Sequence, residues 1–288
     1  MLEDGFCGTC GQKAASVRDH WDEHPSDWVG GVCDRGIVHA GNEDAMALAS
    51  TVDRSLGVLV VCDGVTSAPD SDKAALAAAR AACAHIVSAG VPQANGAAGV
   101  IDLASEILVQ AAEQANAAAV GVAHTLGNPP EPPACTFVAA IVTAGVVTVA
   151  WSGDSRAYWL PDAGDPRQLT VDHSLGSEMI AGGMSRDDAE ADPTSHTITR
   201  WLGADSVQPA PDVSSLMLDG PGWLLVCSDG LWNYASAAAD VAGLVRGFVA
   251  GGSTTPVALA ADLVDWANGQ GGHDNITAAL ARCAPSLP

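Results

Sequence analysis

Basic residues are scarce in this chain: 12 Lys and Arg stand against 34 Asp and Glu over 288 residues, a net charge of −22. Nucleic acid and anionic membrane both recruit proteins by exchanging counterions for positive side chains, so this balance argues against either as a partner. No stretch approaches the roughly 20 consecutive apolar residues that a membrane-spanning helix needs. The start, Met1-Leu2-Glu3-Asp4, has neither the basic residues nor the apolar run of a secretory leader, and a cytoplasmic location is expected. A disulfide framework is missing as well. Cys62, Cys83, Cys135, Cys227 and Cys283 each stand alone in apolar segments, where a reduced thiol behaves as a small hydrophobe.

What is present is a hydrophobic fraction of 48%, enough for one large core. Residues 1–27 carry little apolar periodicity and read as an N-terminal arm, leaving residues 28–285 as the organised domain. Strands are expected at 28–38, 45–49 and 56–62, followed by two Ala-rich helices at 71–89 and 99–126. After a proline-rich loop, strands at 135–143, 146–152 and 156–160 form a meander that turns at Ala144-Gly145. A helical stretch at 174–191, interrupted at Gly182-Gly183, precedes strands at 195–200, 213–218 and 223–227. A second helix pair at 235–249 and 255–268 and a closing strand at 275–281 complete the pattern. Strand groups alternate with helix pairs, not with single crossover helices. That favours an α+β fold, a four-layer α/β/β/α sandwich with two mainly antiparallel sheets flanked by helix pairs.

Acidic motifs stand at the ends of these strands. Asn42-Glu43-Asp44 precedes one, Asp63-Gly64 follows Leu59-Val60-Val61-Cys62, Ser228-Asp229-Gly230 follows Leu224-Leu225-Val226-Cys227, and Asp274-Asn275 precedes the last. A lone Asp-Gly is usually a turn, because both residues tolerate the backbone angles a turn requires. Several such motifs converging on one sheet end would repel one another unless cations neutralised them. Hard oxygen ligands of this kind suit magnesium or manganese.

In order and spacing these motifs resemble the metal-dependent protein phosphatases of the protein phosphatase 2C type. The resemblance runs over residues 36–277 and includes Gly153-Asp154-Ser155-Arg156, Leu169-Thr170-Val171-Asp172-His173-Ser174 and Asp274-Asn275-Ile276-Thr277. It implies hydrolysis of phosphoserine and phosphothreonine in proteins, opposing a serine/threonine kinase. It also implies two Mn2+ or Mg2+ ions, with Asp63 bridging, Asp229 and Asp274 completing one shell, and Glu43 with the Gly64 carbonyl serving the other. Asp44 would orient water, and Asp154 would join Asp229 at a third, weaker ion. Two cations about 3.5 to 4 Å apart lower the pKa of a shared water and neutralise phosphoryl oxygens.

Departures accompany the matches. Where the family usually carries a phosphate-binding arginine, three residues before Asn42, this chain has His39, and Val65-Thr66-Ser67 replace a Gly/His-containing stretch after Asp63-Gly64. His39 is thus a phosphate ligand, a proton donor to the leaving oxygen, or a bystander. The departures also leave open a weakly active or inactive relative that binds phosphoproteins as a regulator. Gly153-Asp154-Ser155-Arg156 taken alone is an ordinary hairpin turn. His173 has no second histidine at ligand spacing and reads as a structural hydrogen-bonding residue. Residues 176–192 occupy the place of a mobile flap in relatives. Cys7-Gly8-Thr9-Cys10 resembles one knuckle of a zinc ribbon, but four ligands are needed, so the pair is read as unmetallated here, with the other half expected upstream of Met1.

Overall fold

The computed structural model describes Thr9 and residues 16–65, 68–143 and 145–285; Cys7, Cys10, Thr66, Ser67 and Ala144 lie outside them. The first strands are β1 (His20–Glu23), β2 (Val29–Asp34), β3 (Ala45–Ser50) and β4 (Gly57–Cys62), followed by helices α1 (Ser71–Ala89) and α2 (Gly96–Thr125). Next come β5 (Ala134–Cys135), β6 (Phe137–Thr143), β7 (Val146–Ser152), β8 (Arg156–Pro161) and β9 (Arg167–Gln168). Two short helices, α3 (Leu175–Ala181) and α4 (Arg186–Glu190), precede β10 (Leu202–Gly203), β11 (Asp212–Met217) and β12 (Gly222–Cys227). The chain closes with α5 (Asp229–Trp232), α6 (Ala238–Gly251), α7 (Pro256–Gln270) and β13 (Ile276–Cys283).

One sheet runs β1-β2-β13-β12-β8-β9 and the other β11-β7-β6-β4-β3, with every pairing antiparallel and a small β5-β10 ladder beside them. Side-chain alternation builds the layers. On β4, Val58, Val60 and Cys62 face α1 and α2, while Leu59 and Val61 point between the sheets. On β12, Leu224 and Val226 point between the sheets, while Trp223, Leu225 and Cys227 face α6 and α7. The result is the expected α/β/β/α sandwich. Among the described residues no single helix is long and apolar enough to cross a membrane; the bent pair α6 and α7 passes by composition, and here it packs on the outer face of the six-stranded sheet.

Four local expectations are corrected. The strand expected over 28–38 stops at Asp34, whose Oδ1 accepts the Gly36 N–H (2.8 Å) at a left-handed turn with φ 74°. Residues 195–200 form no strand and contribute a single bridge, Ile198 to Ser174, because their backbone serves the entry to α3: the Ser195 and Thr197 carbonyls accept the Gly176 and Leu175 N–H groups, and the Thr199 N–H donates to the His173 carbonyl. The arm expected over 1–27, outside the core, in part joins it: β1 pairs with β2 along its whole length, and Trp21 packs against the core between the sheets. Helix α5, only four residues long, was not expected: it opens on the Asp229-Gly230 pair, which reads as a turn, and runs on to Trp232.

Candidate metal centre

Register places the acidic motifs at one end of each sheet. In the five-stranded sheet Ala45 at the start of β3 faces Cys62 at the end of β4, and Phe137 faces Ser152 at the end of β7. In the six-stranded sheet Cys227 ends β12 opposite Ala278 of β13 and Arg156 of β8. Asp63, Asp44, Asp154, Asp229 and Asp274 therefore leave their strands on the same side. The two sheets are tied there by Asp44, whose Oδ2 accepts hydrogen bonds from Ser228 Oγ and Thr277 Oγ1, both at 2.7 Å.

A scaffold of uncharged side chains fixes the loops that carry the acids. The Asn275 amide is the hub: its Oδ1 accepts the Glu43 N–H (2.7 Å) while its Nδ2 donates to the Arg35 and Gly41 carbonyls. Asn42 Oδ1 accepts the Asp44 N–H (3.1 Å). Asp63 N–H donates to Thr136 Oγ1, and the Thr136 N–H returns a bond to the Asp63 carbonyl. Glycine is required twice by close approach. A Cβ at Gly64 would stand 2.8 Å from the Glu43 carbonyl oxygen, and one at Gly230 only 2.0 Å from that of Asn275.

Gathering these acids has an electrostatic cost that their titration records. Burial pushes Asp63 well up, and the charges of Asp44, Asp229, Asp154 and Asp274 push further in the same direction. Asp154 is raised by burial and then by Asp229 and Asp172. Burial also raises Asp229 to about 6, helped by Asp274 and moderated by hydrogen bonds from Asn233 and the Asp63 carboxyl. Asp44 rises to about 7, again through burial first, although its bonds from Ser228 and Thr277 oppose the shift. Asp63 and Asp229 keep an opening to solvent while lying deep among protein atoms, as a site that admits a substrate requires.

Two carboxylate oxygens in this group, Glu43 Oε2 and Asp44 Oδ1, are buried with no hydrogen-bond partner. A buried unpaired carboxylate oxygen is costly unless a cation or an ordered water faces it, so the residues present fit a divalent ion. Among the described residues no three His, Cys, Asp or Glu side chains already close into a ligand cage. An open set of carboxylates from separate strand ends, completed by water, is the mode that magnesium and manganese favour over an all-protein shell.

The sequence profile of the family described as protein phosphatase 2C matches residues 38–266, most of the chain and every one of these motifs except Asp274-Asn275. The chain belongs to that family. It is 40% identical over 131 residues to protein phosphatase PhpP of Streptococcus pneumoniae, covering 44% of this chain and 49% of the relative. It is 35% identical over 147 residues to serine/threonine phosphatase stp of Listeria innocua, covering 50% and 55%. The chain thus spans about half the length of the curated relatives it matches. Among solved structures, the PPM Ser-Thr phosphatase MsPP of Mycobacterium smegmatis, in complex with cacodylate, superposes with TM-score 0.64 at 27% identity over 90% of this chain and 98% of that one. The catalytic domain of PstP in complex with 2 manganese ions shares the fold, with TM-score 0.63 at 22% identity over 88% and 96%.

Within this protein phosphatase 2C fold, His39 Nε2 lies 3.3 Å from Asp274 Oδ1, at the rim of the acid cluster. Asp154 sits in the β7–β8 turn, its carbonyl accepting the Trp232 Nε1–H (3.0 Å). His173 stacks on Trp151, accepts the Gly153 N–H at Nδ1 (3.1 Å) and places Nε2 3.1 Å from Asp212, the structural role expected of it. Over the flap, α3 and α4 are separated at Gly182-Gly183 as expected, and they cover a cavity of about 380 Å³ lined by Arg156, Asp172, Ile180, His196 and Trp232; none of the cluster carboxylates lines it. Reading by motif missed the side chains that support the acids. Ser228, Thr277 and Asn275 lie inside motifs that were singled out for their acids, whereas Thr136 and Arg18 carry no local signal because their partners are distant in sequence.

Proposed function

We propose that the chain hydrolyses phosphoserine and phosphothreonine in proteins, and that Asp63, Asp229, Asp274, Glu43 and the Gly64 carbonyl hold two Mn2+ or Mg2+ ions. The observation that carries this reading is the set of buried, mutually repelling carboxylates with two unpaired oxygens, in a chain of the protein phosphatase 2C family. When bound, the ions supply positive charge opposite the phosphoryl oxygens and lower the pKa of water.

The side chains supply the rest. Asp44 is held through Oδ2 by Ser228 and Thr277, so its free Oδ1 is aimed and available to accept a hydrogen bond from the attacking water. The water oxygen bonds to phosphorus, the bond from phosphorus to the serine or threonine oxygen breaks, and that oxygen takes up a proton. His39, 3.3 Å from Asp274 at the rim of the cluster, is assigned to the phosphoryl group or the departing oxygen, in the position where the family carries an arginine. Asp154 is assigned to a third, weaker ion shared with Asp229. The catalytic unit, expected over residues 28–285, is assigned to include β1 as well, with phosphorylated products of a serine/threonine kinase as substrates and the cytoplasm as the compartment.

Protein purified free of host phosphatases should release phosphate from a phosphothreonine peptide only when Mn2+ or Mg2+ is added. Asp229→Asn should abolish that release. Undiminished turnover by the Asn variant in saturating Mn2+ would remove this site from the reaction.

A further inference from the structure

Arg18 precedes the family-matched residues 38–266, yet it reaches the centre of the site. Its Nη2 donates to the Asp44 carbonyl at 2.6 Å, and its own carbonyl accepts the Asn42 Nδ2–H at 2.9 Å. Glu43 is therefore flanked on both sides by residues that the same arginine holds. Arg18 Nη1 also donates to the Asp72 carbonyl (3.3 Å) in the first turn of α1, and the guanidinium packs over Trp21 of β1 at 5.2 Å. Neighbouring arm residues add two more ties. The Asp19 carbonyl accepts the Arg35 N–H (2.7 Å), and Glu23 Oε2 accepts the Leu48 N–H (2.7 Å) on β3. Since β1 is the edge of one sheet and β3 the edge of the other, the arm fastens both sheets beside the carboxylates.

We propose that Arg18 is a positioning residue that sets the Asn42-Glu43-Asp44 loop, and with it Glu43, for divalent-ion binding. The physical reason lies in Glu43 itself. Its Oε2 is buried without a hydrogen bond, so no side-chain partner aims it; its direction follows from the backbone on either side, and that backbone is held by Arg18 and Asn275. A charged donor to a carbonyl makes one of the stronger hydrogen bonds available, and the planar guanidinium serves two carbonyls at once, which a lysine ammonium on a flexible stem cannot reproduce with the same geometry.

This inference rests on the reading of Glu43 as an ion ligand, and calorimetric titration of the full chain with Mn2+ tests both separately. Wild type is expected to bind two ions tightly, with the third, weaker one entering only at higher Mn2+. Arg18→Ala should weaken one of the two affinities by about tenfold or more, the usual size of a lost supporting contact, and should show low kcat/KM at limiting Mn2+ that recovers as Mn2+ saturates. Arg18→Lys should fall between them, and it keeps the test alive should the alanine variant not fold. Glu23→Ala is the control, because it removes the acceptor that ties the arm to β3 but keeps Arg18, so a lower melting temperature with wild-type Mn2+ affinity is expected. Equal Mn2+ affinities in wild type and both Arg18 variants would overturn the inference, and so would an equal loss in Glu23→Ala, since the arm would then act only as a general brace. Failure of wild type to bind Mn2+ would overturn the ligand assignment and the inference with it.

Discussion

Asp63 stands where burial and four neighbouring carboxylates all act against its ionised form. Asp63→Asn should therefore abolish turnover and, in the metal-free protein, hold or raise the melting temperature, because the isosteric amide removes a repelling charge. A drop of several degrees in EDTA would contradict this. His39 calls for two substitutions. If it grips phosphate, His39→Ala should raise KM and His39→Arg should restore it. If it protonates the departing oxygen, His39→Arg should bind well but turn over slowly on phosphothreonine peptides, with less loss on p-nitrophenyl phosphate, whose leaving group needs little protonation. Unchanged kinetics in both variants would leave it a bystander. Away from the acids, Arg156 and Asp172 form a buried pair closed by Nε (2.9 Å) and Nη2 (2.6 Å), with the guanidinium 3.6 Å from the centre of the Trp232 ring. Asp172→Asn leaves that cation uncompensated, and a loss of about 3 kcal/mol or more in urea denaturation is expected.

At the scale of elements, the short helix α5 positions Asp229 only because its second residue has no side chain. In Gly230→Ala the new methyl would lie 2.0 Å from the Asn275 carbonyl oxygen, so either α5 or the Asp274-Asn275 loop must move, and both carry assigned ligands. Loss of Mn2+ binding with largely retained far-ultraviolet dichroism is expected; a variant that binds Mn2+ as wild type does would show that the contact gives way freely. The long elements were legible in the sequence for a simple reason. β4, β6, β7 and β12 alternate between two apolar layers, so each is a continuous apolar run, and α1 places Ala and Ile at helical spacing toward the sheet. β1 was not legible because three of the four residues in His-Trp-Asp-Glu are polar and its pairing is carried by backbone. Leu202–Gly203 and Ala134–Cys135 form a ladder too short for any periodicity to show. The acids of the site could be read because each borders a strand, whereas Arg18, whose partners are Asp44 and Asp72, could not.

Across the whole molecule, the acid cluster gives metal-free stability a definite pH dependence. Carboxylates whose folded pKa exceeds the unfolded value of about 3.9 contribute stability below that value and lose it as pH rises through the folded pKa. Asp229 at about 6 and Asp44 at about 7 place their loss between about pH 4 and pH 7, and Asp63 and Asp154, raised well above the usual carboxylate range, act in the same sense. In EDTA the melting temperature is expected to fall from pH 5 to pH 8, while saturating Mn2+ removes most of the decline; parallel curves with and without Mn2+ would refute the coupling. The layered core has a further use. Cys33, Cys62, Cys83, Cys135, Cys227 and Cys283 are all free and buried, and they are spread over β2, β4, α1, β5, β12 and β13. Burial pushes the Cys83 thiol up to about 11 and that of Cys283 up to about 12, so little reactive thiolate exists at neutral pH even apart from access. Alkylation of these six sites then requires the fold to open. A brief pulse of iodoacetamide read peptide by peptide becomes a clock for each layer, able to tell whether the α1–α2 side parts from its sheet before the strands beneath α6 and α7 separate.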